Sequence, residues 1–446
     1  MDKLEILTIL EDWNFWKKEL NTGIIRNLYL EKLKKFISTN QIIAITGARR
    51  SGKSFIMKQL AKKLTNEGLD KRQILIVNFE DPRFTQLDSK LLQKIYETYL
   101  ESLNPDGKPY IFLDEIQEVG DWERWVTMMH ELGKAKIIVS GSNAKLLSKE
   151  LSTLLTGRHI DLTIFPLSFK EFLFFNNIEV KEELDIISKK IEINRLLKEY
   201  FEFGSFPEVV LSTQKEQILL SYFDDVVNKD LVRRYKIRKP EKLKSLVMFY
   251  MSSISSQTTF NALRKHLSIS TSTIEKFSNY LEVVYLTFFL KRFSFKLKEQ
   301  EKSPRKVYSI DTGLSNIVGF RFSQNIGKIA ENLVFLELIR KKMANPKIEL
   351  YYWKNQRHKE VDFVTVEETC IKKLIQVCWD INKLDTKKRE TTSLIKRLEE
   401  LKLTEGLIIT GEYEGKENIK DKKIKYIPLF KWLLLKKENF ESNSQQ

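Results

Sequence analysis

The chain has 446 residues, of which 42% are hydrophobic and 30% are charged, and its 76 lysines and arginines outnumber its 60 aspartates and glutamates by 16. This composition excludes a disordered chain, a collagen-like chain and a small disulfide scaffold, and no uncharged apolar run approaches the roughly 18 residues of a membrane span. No signal-peptide pattern opens the sequence, and its two cysteines, Cys370 and Cys378, favour a reducing compartment, so we expect a cytoplasmic protein without a membrane partner.

Four regions follow one another along the chain. Residues 1–165 combine a helical lead-in with four buried strands, IIAIT, ILIVNF, YIFLDE and KIIVSGS, which amphipathic helices separate. This alternation predicts an α/β fold with a parallel sheet and helices on both faces. Residues 166–240 are predicted to be helical, with breaks at Gly204 and Pro207. Residues 241–300 and 301–446 are predicted to form two further domains.

The basic excess is concentrated in the middle of the chain. Between Lys229 and Lys306, 18 lysines and arginines stand against six acids, which is a net charge of +12 in 78 residues. Such a concentration indicates a polyanion-binding module, although a solvated basic surface is the alternative.

A phosphate-binding loop follows the first predicted strand. GARRSGKS fits the pattern G-x-x-x-x-G-K-[ST] and opens a predicted helix, which is the context that the motif requires. Backbone N–H groups of such a loop and the helix N-terminus bind phosphates, the lysine pairs with the β- and γ-phosphates, and the serine is a ligand of Mg²⁺. We therefore expect ATP and Mg²⁺ as cofactors, bound by Gly47, Arg50, Ser51, Gly52, Lys53, Ser54 and Phe55.

Two carboxylates end the third predicted strand. Asp114 is expected to hold Mg²⁺, and Glu115 to orient and polarise the attacking water. A pair of N-capping acids is the alternative.

Asn143, which follows the next strand, is a candidate sensor of the γ-phosphate, but it also suits a helix N-cap. The transition-state charge calls for an arginine, and Arg158 is our main candidate, with Arg49, Arg233 and Arg234 as alternatives.

The basic middle reads as three helices followed by a β-ribbon, the order of a winged helix-turn-helix. Its recognition helix would begin near Ser270, and double-stranded DNA is the expected partner. A purely structural or protein-binding winged helix is the alternative. The residues predicted to contact DNA are Thr271, Ser272 and Lys276 on the helix and Lys291, Arg292, Lys296 and Lys298 on the wing.

The C-terminal region carries a nuclease-like spacing of polar residues. Glu331, Asp362 and Gln376 are spaced like the active site of a PD-(D/E)XK nuclease, in which carboxylates hold Mg²⁺ and a lysine activates water. Gln376-Val377-Cys378 replaces the E-x-K element, so both the acid and the lysine are missing, unless Lys372 or Lys373 substitutes. We expect a degenerate site on an inherited fold.

The whole set of motifs resembles the prokaryotic AAA-type ATPases with a C-terminal domain of unknown function, DUF4143, which look like relatives of archaeal ATPases and STAND-type signalling NTPases. The motifs include GARRSGKS, NFEDPR, FLDEIQEVGDWERW, FGSFPEVV, KVYSIDTGL and KEVDFV. The resemblance implies an ATPase core, a helical lid, a winged helix and a nuclease-like domain. FGSFPE is similar to a G-x-P element that packs on adenine in STAND proteins, which would make Pro207 a nucleotide contact; a turn within the lid is the alternative.

These observations together predict an ATP-hydrolysing, Mg²⁺-dependent ATPase that associates with DNA. A signalling switch that acts through protein partners and an ATP-gated nuclease remain the alternatives. The sequence leaves open whether the chain forms a homo-oligomer.

Overall fold

The computed structural model describes residues 1–142, 157–320, 325–355, 359–381 and 384–435. These residues form two compact units, one of Met1–Phe165 with Val283–Tyr285, the other of Pro166–Glu282 with the chain from Leu286 onward. In the part of the chain described, no helix combines the length and the apolar character that crossing a membrane requires.

The first unit is built on a five-stranded sheet in which all neighbouring strands are parallel. Their order is β2-β3-β4-β1-β5, and their bounds are Ile42–Gly47 (β1), Ile74–Asn78 (β2), Tyr110–Asp114 (β3), Lys136–Gly141 (β4) and His159–Ile164 (β5). The predicted α/β fold with a parallel sheet is therefore confirmed. The sequence does not predict β5, because its residues HIDLTI lack the continuous apolar run that marks the other four strands.

Helices cover both faces of this sheet, as the sequence predicted. The apolar sides of α1, α4 and α5 share one buried cluster with one face of the sheet, and those of α2 and α3 share a second cluster with the other face. Each fully buried aliphatic side chain contributes about 2 kcal/mol to this packing. The helices span Lys3–Trp13 (α1), Asn27–Ile37 (α2), Lys53–Asn66 (α3), Ser89–Leu103 (α4) and Trp122–Glu131 (α5).

The second unit begins with a helical region, broken where the sequence predicted. Gly204 ends α8 with φ +74°, and a side chain there would collide with the Asp311 carboxylate. That carboxylate accepts hydrogen bonds from Ser205 N and Oγ, and Pro207 opens the next helix. The helices span Phe169–Phe175 (α6), Glu183–Ser188 (α7), Lys190–Phe203 (α8), Pro207–Leu211 (α9) and Lys215–Asp225 (α10), and a π-helix follows over Val226–Arg233.

Three helices and a small antiparallel sheet follow. The helices are α11 (Pro240–Ser252), α12 (Phe260–Leu267) and α13 (Thr271–Val283); the strands are β6 (Ser256–Thr258), β7 (Thr287–Leu290) and β8 (Arg305–Ser309). The sheet order is β6-β8-β7. The sequence predicts the partner of β7 in the residues that follow it directly and places KVYSI in the next domain. In the structure, β8 is that partner, because residues 291–304, here called the wing, form a connection that includes the short helix α14 (Leu297–Lys302).

A six-stranded mixed sheet occupies the C-terminal region, with the order β13-β14-β12-β11-β10-β9. The first three strands along the chain are antiparallel neighbours, whereas β11, β12 and β14 are parallel. The strands are Ile348–Lys354 (β9), Glu360–Glu367 (β10), Cys370–Cys378 (β11), Glu405–Thr410 (β12), Gly415–Ile419 (β13) and Lys422–Pro428 (β14). The helices are Thr312–Val318 (α15), Ile326–Ala344 (α16), Leu384–Glu400 (α17) and Leu429–Leu434 (α18).

Candidate functional site

The phosphate loop, residues 47–54, connects the carboxyl end of β1 to the first turn of α3. Gly47 has φ +143°, and a Cβ atom at this position would lie 2.1 Å from the carbonyl oxygen of Ile164 on the neighbouring strand. Only glycine fits there, because the loop passes directly against the β5 backbone. Arg50, which is exposed, also has a positive φ of 65°. The strand–loop–helix context that the motif requires is thus present.

Lys53 lies at the centre of the loop, although its side chain is only 3% exposed. Its Nζ donates to the carbonyl oxygens of Gly47 at 3.3 Å and Ala48 at 3.2 Å. The same Nζ lies 3.4 Å from Glu115 Oε1. The loop lysine and the second acid of the predicted pair therefore occupy one buried site.

Asp114 ends β3 beside the loop. Its Oδ1 accepts a short hydrogen bond from the Ser140 hydroxyl, and its carboxylate is hydrogen-bonded to Ser54. Burial and the neighbouring Glu115 carboxylate raise the pKa of Asp114. Ser140 was not among our predicted site residues; its signal in the sequence is a hydroxyl near the end of the apolar strand KIIVSGS.

Glu115 has φ +52°, in the left-handed region that residues other than glycine rarely adopt. Such a conformation costs about 1 kcal/mol or more, so the surroundings must hold it. Its Oε2 accepts from Gln117 Nε2 at 2.5 Å and from Ser142 N at 3.3 Å. Burial opposes ionisation of Glu115, but Lys53, Gln117 and Arg49 outweigh burial and keep its pKa below the usual value. Glu115 is therefore an ionised acceptor.

The residues of this site fit a nucleotide with a divalent cation. Two adjacent buried carboxylates repel each other, and a cation next to Asp114 would relieve that repulsion. Ser51 Oγ and Ser142 Oγ are buried and have no hydrogen-bond partner among the described residues, so both hydroxyls are available to phosphate oxygens or to metal-bound water. Ser54 and Asp114 supply the hydroxyl and the carboxylate that Mg²⁺ prefers.

The arginine candidates of this unit lie at opposite edges of the sheet. Arg158 O accepts from Ile42 N at the amino end of β1, about 16 Å from the phosphate loop by the rise of the strand, and its guanidinium pairs with Glu131. Our prediction that Arg158 acts at the site does not fit this position within one chain. Arg49 belongs to the loop itself, and its Nη2 lies 2.6 Å from Glu80 Oε1.

The N-terminal lead-in supports the loop, which our sequence analysis did not foresee. Arg26 is buried, and its guanidinium donates to the carbonyl oxygens of Ser51 at 2.8 Å and Phe165 at 3.0 Å. Phe55, in the first turn of α3, is 44% exposed and faces Gly23.

Two further predicted site residues have no place in this unit's site as described. Asn143 lies outside the described residues. Pro207 belongs to the second unit, and its contact with adenine stays a prediction.

The predicted DNA-contacting residues lie on α13 and in the wing. Thr271 and Ser272 open α13, where the Ser270 hydroxyl accepts from Thr273 N at 3.2 Å, and Lys276 lies over the Tyr280 ring. In the wing, Lys291 and Lys296 pair with Glu301 and Glu299, at 2.5 and 3.6 Å. Arg292 forms an isolated β-bridge with Tyr352, and Lys298 is exposed. Two of the six acids that the net charge of +12 already includes are thus paired with lysines of the wing.

The three residues of the predicted nuclease-like site do come together. Asp362 N donates to Gln376 Oε1 at 3.2 Å, and Glu331 and Asp362 each accept from the same lysine at 2.8 Å. That lysine is Lys306 of β8, not Lys372 or Lys373, as we had considered. Its contact with these acids could not be read from the sequence, because Glu331 and Asp362 lie 25 and 56 residues further along the chain.

Three family models match successive parts of the chain. Residues 39–173 match an AAA domain, residues 194–324 a domain of unknown function, DUF8612, and residues 326–432 the domain of unknown function DUF4143. The DUF8612 match spans part of the predicted lid, the whole of the predicted winged helix and the first residues of the predicted C-terminal domain.

Two curated relatives align over most of the chain. An uncharacterised protein of Methanocaldococcus jannaschii is 36% identical over 433 residues, covering 92% of this chain and 94% of the relative. An uncharacterised protein of Haemophilus influenzae is 30% identical over 419 residues, covering 92% of this chain and 98% of the relative.

Among solved structures, a Walker-type ATPase of Pyrococcus abyssi aligns with 12% identity and a TM-score of 0.43, covering 66% of this chain and 96% of that chain. AMPPCP-bound DnaA of Aquifex aeolicus aligns with 14% identity and a TM-score of 0.28, covering 60% and 93%. With an AAA domain, a DUF4143 domain and relatives that match along nearly their whole length, the chain belongs to the family of AAA-type ATPases that carry a C-terminal DUF4143 domain.

Proposed function

We propose that this protein is a Mg²⁺-dependent ATPase that binds double-stranded DNA through its basic middle region. The observation that carries the proposal is the group of buried Lys53, Asp114 and Glu115 with half-buried Ser54 at the carboxyl edge of the parallel sheet. This edge is where open α/β sheets bind their ligands.

Each residue of the group has a distinct role in this proposal. The N–H groups of the phosphate loop and the Lys53 ammonium bind the phosphates, while Ser54 and Asp114 hold Mg²⁺, which when bound offsets the negative charge of the phosphates. Glu115 accepts a proton from the attacking water, for which it must be ionised, as its lowered pKa allows. Ser140 and Gln117 position the two carboxylates.

Arg49 is our candidate for the positive charge that stabilises the transition state. It belongs to the loop, its side chain is only 15% exposed, and its charge already lowers the pKa of Glu115. Arg158, at the opposite edge of the sheet, would have to act on a neighbouring copy of the chain.

The topology of the basic region supports DNA binding. The order α11-β6-α12-α13-β7-wing-β8, with β8 between β6 and β7, is compatible with a winged helix and supports this part of the proposal. α13 would then be the recognition helix, and its first turn presents the hydroxyls of Thr271 and Ser272.

ATP hydrolysis by the full chain, measured with and without duplex DNA over a series of salt concentrations, tests the proposal. Hydrolysis should require Mg²⁺ and should be lost in Lys53→Ala, while Lys62→Ala, on the same helix, serves as a matched control. DNA binding, followed separately by fluorescence anisotropy, should weaken steeply as salt rises. If the chain hydrolyses ATP but does not bind duplex DNA at low salt, the DNA-binding part of the proposal is wrong and the ATPase part is retained.

A signalling switch that acts through protein partners is the second candidate. It is favoured by three exposed apolar side chains, Leu184, Ile187 and Ile191, that recur over two adjacent helices of the second unit, and by the ion pairs within the wing. Slow hydrolysis without DNA binding, together with nucleotide-dependent self-association in light scattering that Leu184→Glu abolishes, would favour this candidate over the first.

A further inference from the structure

A buried ammonium group lies among three carboxylates in the C-terminal part of the chain. Lys306 Nζ is 2.8 Å from Glu331 Oε1, 2.6 Å from Glu360 Oε1 and 2.8 Å from Asp362 Oδ1. We call these four residues the Lys306 cluster. The Lys306 side chain is only 2% exposed. Its three N–H donors can thus all be directed at carboxylate oxygens, since an ammonium has three donors and no acceptor.

The carboxylates of the cluster are held by further hydrogen bonds. Tyr308 Oη donates to Glu331 Oε1 at 2.7 Å, and Val377 N donates to Asp362 Oδ2 at 2.9 Å. Gln376, which stands where the nuclease-like pattern would place an acid, accepts from Asp362 N and donates to Glu390 Oε2 at 2.8 Å. This polar network fixes the position of Glu331 and Asp362, two of the three acids that contact the ammonium.

The charges of the cluster explain why a cation is needed there. Burial opposes the charged form of Lys306, yet Asp362, Glu331 and Glu360 outweigh it and raise the lysine pKa well above its usual value. Burial and repulsion by Asp362 raise the pKa of Glu331 in turn. Without a cation, two or three carboxylates would share one buried site, and removing one partner of such a buried ionic group is strongly destabilising.

We propose that Lys306 is the resident cation of a nuclease-like carboxylate site, where its ammonium takes the place of a divalent metal ion and makes the site structural. The ammonium contacts the acids from α16 and β10 that the sequence pattern assigns to metal binding, and the buried lysine leaves no donor for a substrate. This inference does not depend on ATP hydrolysis, and it concerns a separate part of the chain.

The first experiment removes the charge and measures stability. Lys306→Met keeps much of the side-chain volume and should lower the equilibrium constant for folding of the second unit by about 100-fold or more, measured by urea unfolding. Lys306→Met combined with Asp362→Asn removes one negative charge as well and should recover at least about tenfold of that loss. Lys372→Met, at an exposed position of β11, is the control. Equal instability of the single and double variants would overturn the proposal.

The second experiment asks whether a metal can replace the ammonium. Lys306→Ala leaves both space and negative charge, so it should acquire one Mn²⁺ site per chain, detected by electron paramagnetic resonance without nucleotide. All chains carry Ser54→Ala, which removes a ligand of the nucleotide-linked site. Mn²⁺ should bind at least about tenfold more weakly to the chain with Lys306, and Asp362→Asn should abolish the acquired site. If Lys306→Ala does not fold alone, Mn²⁺ should restore its folding.

Two results contradict the proposal in this second experiment. One is Mn²⁺ binding to the chain with Lys306 that Asp362→Asn abolishes, because the lysine would then not exclude a metal. The other is a Lys306→Ala chain that neither binds Mn²⁺ when folded nor is rescued by it when unfolded.

Discussion

Lys53 Nζ lies 3.4 Å from Glu115 Oε1, so the lysine of the phosphate loop and the acid after β3 are partners in a buried ion pair. Phosphate oxygens that bind Lys53 would compete with Glu115 for the same ammonium. The pair therefore couples phosphate binding to the acid that we assign to water activation, since a carboxylate that loses this partner becomes a stronger base.

Glu115→Gln should separate binding from hydrolysis. The amide cannot accept a proton from water, so the rate of ATP hydrolysis should fall by about 10²-fold or more. ATP affinity should stay within about threefold or increase, because the neutral amide would no longer hold the Lys53 ammonium. Single-turnover hydrolysis and equilibrium binding of a fluorescent ATP analogue check both expectations, with Glu118→Gln as the matched control. Loss of binding in Glu115→Gln would contradict the assigned role.

Arg49 and Arg158 should respond differently to substitution. Arg49→Ala should reduce hydrolysis by about 10²-fold or more, because the charge lies in the loop of the same chain, whereas Arg158→Ala should leave a monomeric chain nearly unchanged. Hydrolysis is measured at several protein concentrations. If the hydrolysis rate per chain of the unsubstituted protein rises with protein concentration, and Arg158→Ala reduces the rate only at those higher concentrations, Arg158 acts on a neighbouring copy of the chain.

Neutralising the wing should weaken DNA binding without affecting basal hydrolysis. Alanine at Lys291, Arg292, Lys296 and Lys298 together should lower the slope of log K against log salt concentration by up to about 3.6, at about 0.9 for each DNA phosphate that the protein no longer neutralises. The smaller effect expected at Lys291 and Lys296 follows from their pairing with Glu301 and Glu299. A control variant removes the same number of charges from the β13–β14 hairpin, at Lys416, Lys420, Lys422 and Lys423. An equal effect of both variants would mean that only net charge matters.

Asp81 should make the first unit sensitive to acid. Its carboxylate accepts from the Arg83 guanidinium and from Trp13 Nε1, at 2.7 to 3.0 Å, and these bonds keep its pKa well below the usual value. A carboxyl whose pKa falls on folding stabilises the native state above its unfolded pKa, near 4, and this contribution is lost as the pH drops further.

Asp81→Asn should accordingly lower the free energy of unfolding at pH 7 by about 1–2 kcal/mol, a value reduced by the partial exposure of Arg83. The difference from the unsubstituted chain should shrink between pH 4 and pH 2, which urea unfolding at each pH measures. Asp106→Asn, at a 91% exposed side chain, is the control. A difference that does not change with pH would contradict the assigned charge.

The sequence alone predicted the parts of the fold and of the site that depend on local patterns. The glycines, Lys53 and Ser54 occur in one short motif, and Asp114 and Glu115 directly follow an apolar strand, so a parallel sheet brings them to one edge. Their mutual contact needed only the correct strand order.

Other features depend on pairings between distant segments and could not be predicted. Arg158 is one of several candidate arginines by residue type alone, and only the pairing of β5 with β1 defines the end of the sheet at which it lies. Lys306 was counted among the surface charges, since nothing near it in sequence indicates that Glu331, Glu360 and Asp362 surround it. A net charge counted from the sequence does not distinguish a buried lysine from an exposed one.

β8 belongs to two parts of the second unit at once. Its backbone completes the three-stranded sheet with β6 and β7, and one of its side chains, Lys306, neutralises acids of α16 and β10. A shortened chain that ends before β8 would lose the central strand of the small sheet, and one that begins after it would lose the counter-charge of the acids. Expression fragments that contain β8 should therefore span residues 166–435, because Asp311, which closely follows β8, also accepts hydrogen bonds from Ser205.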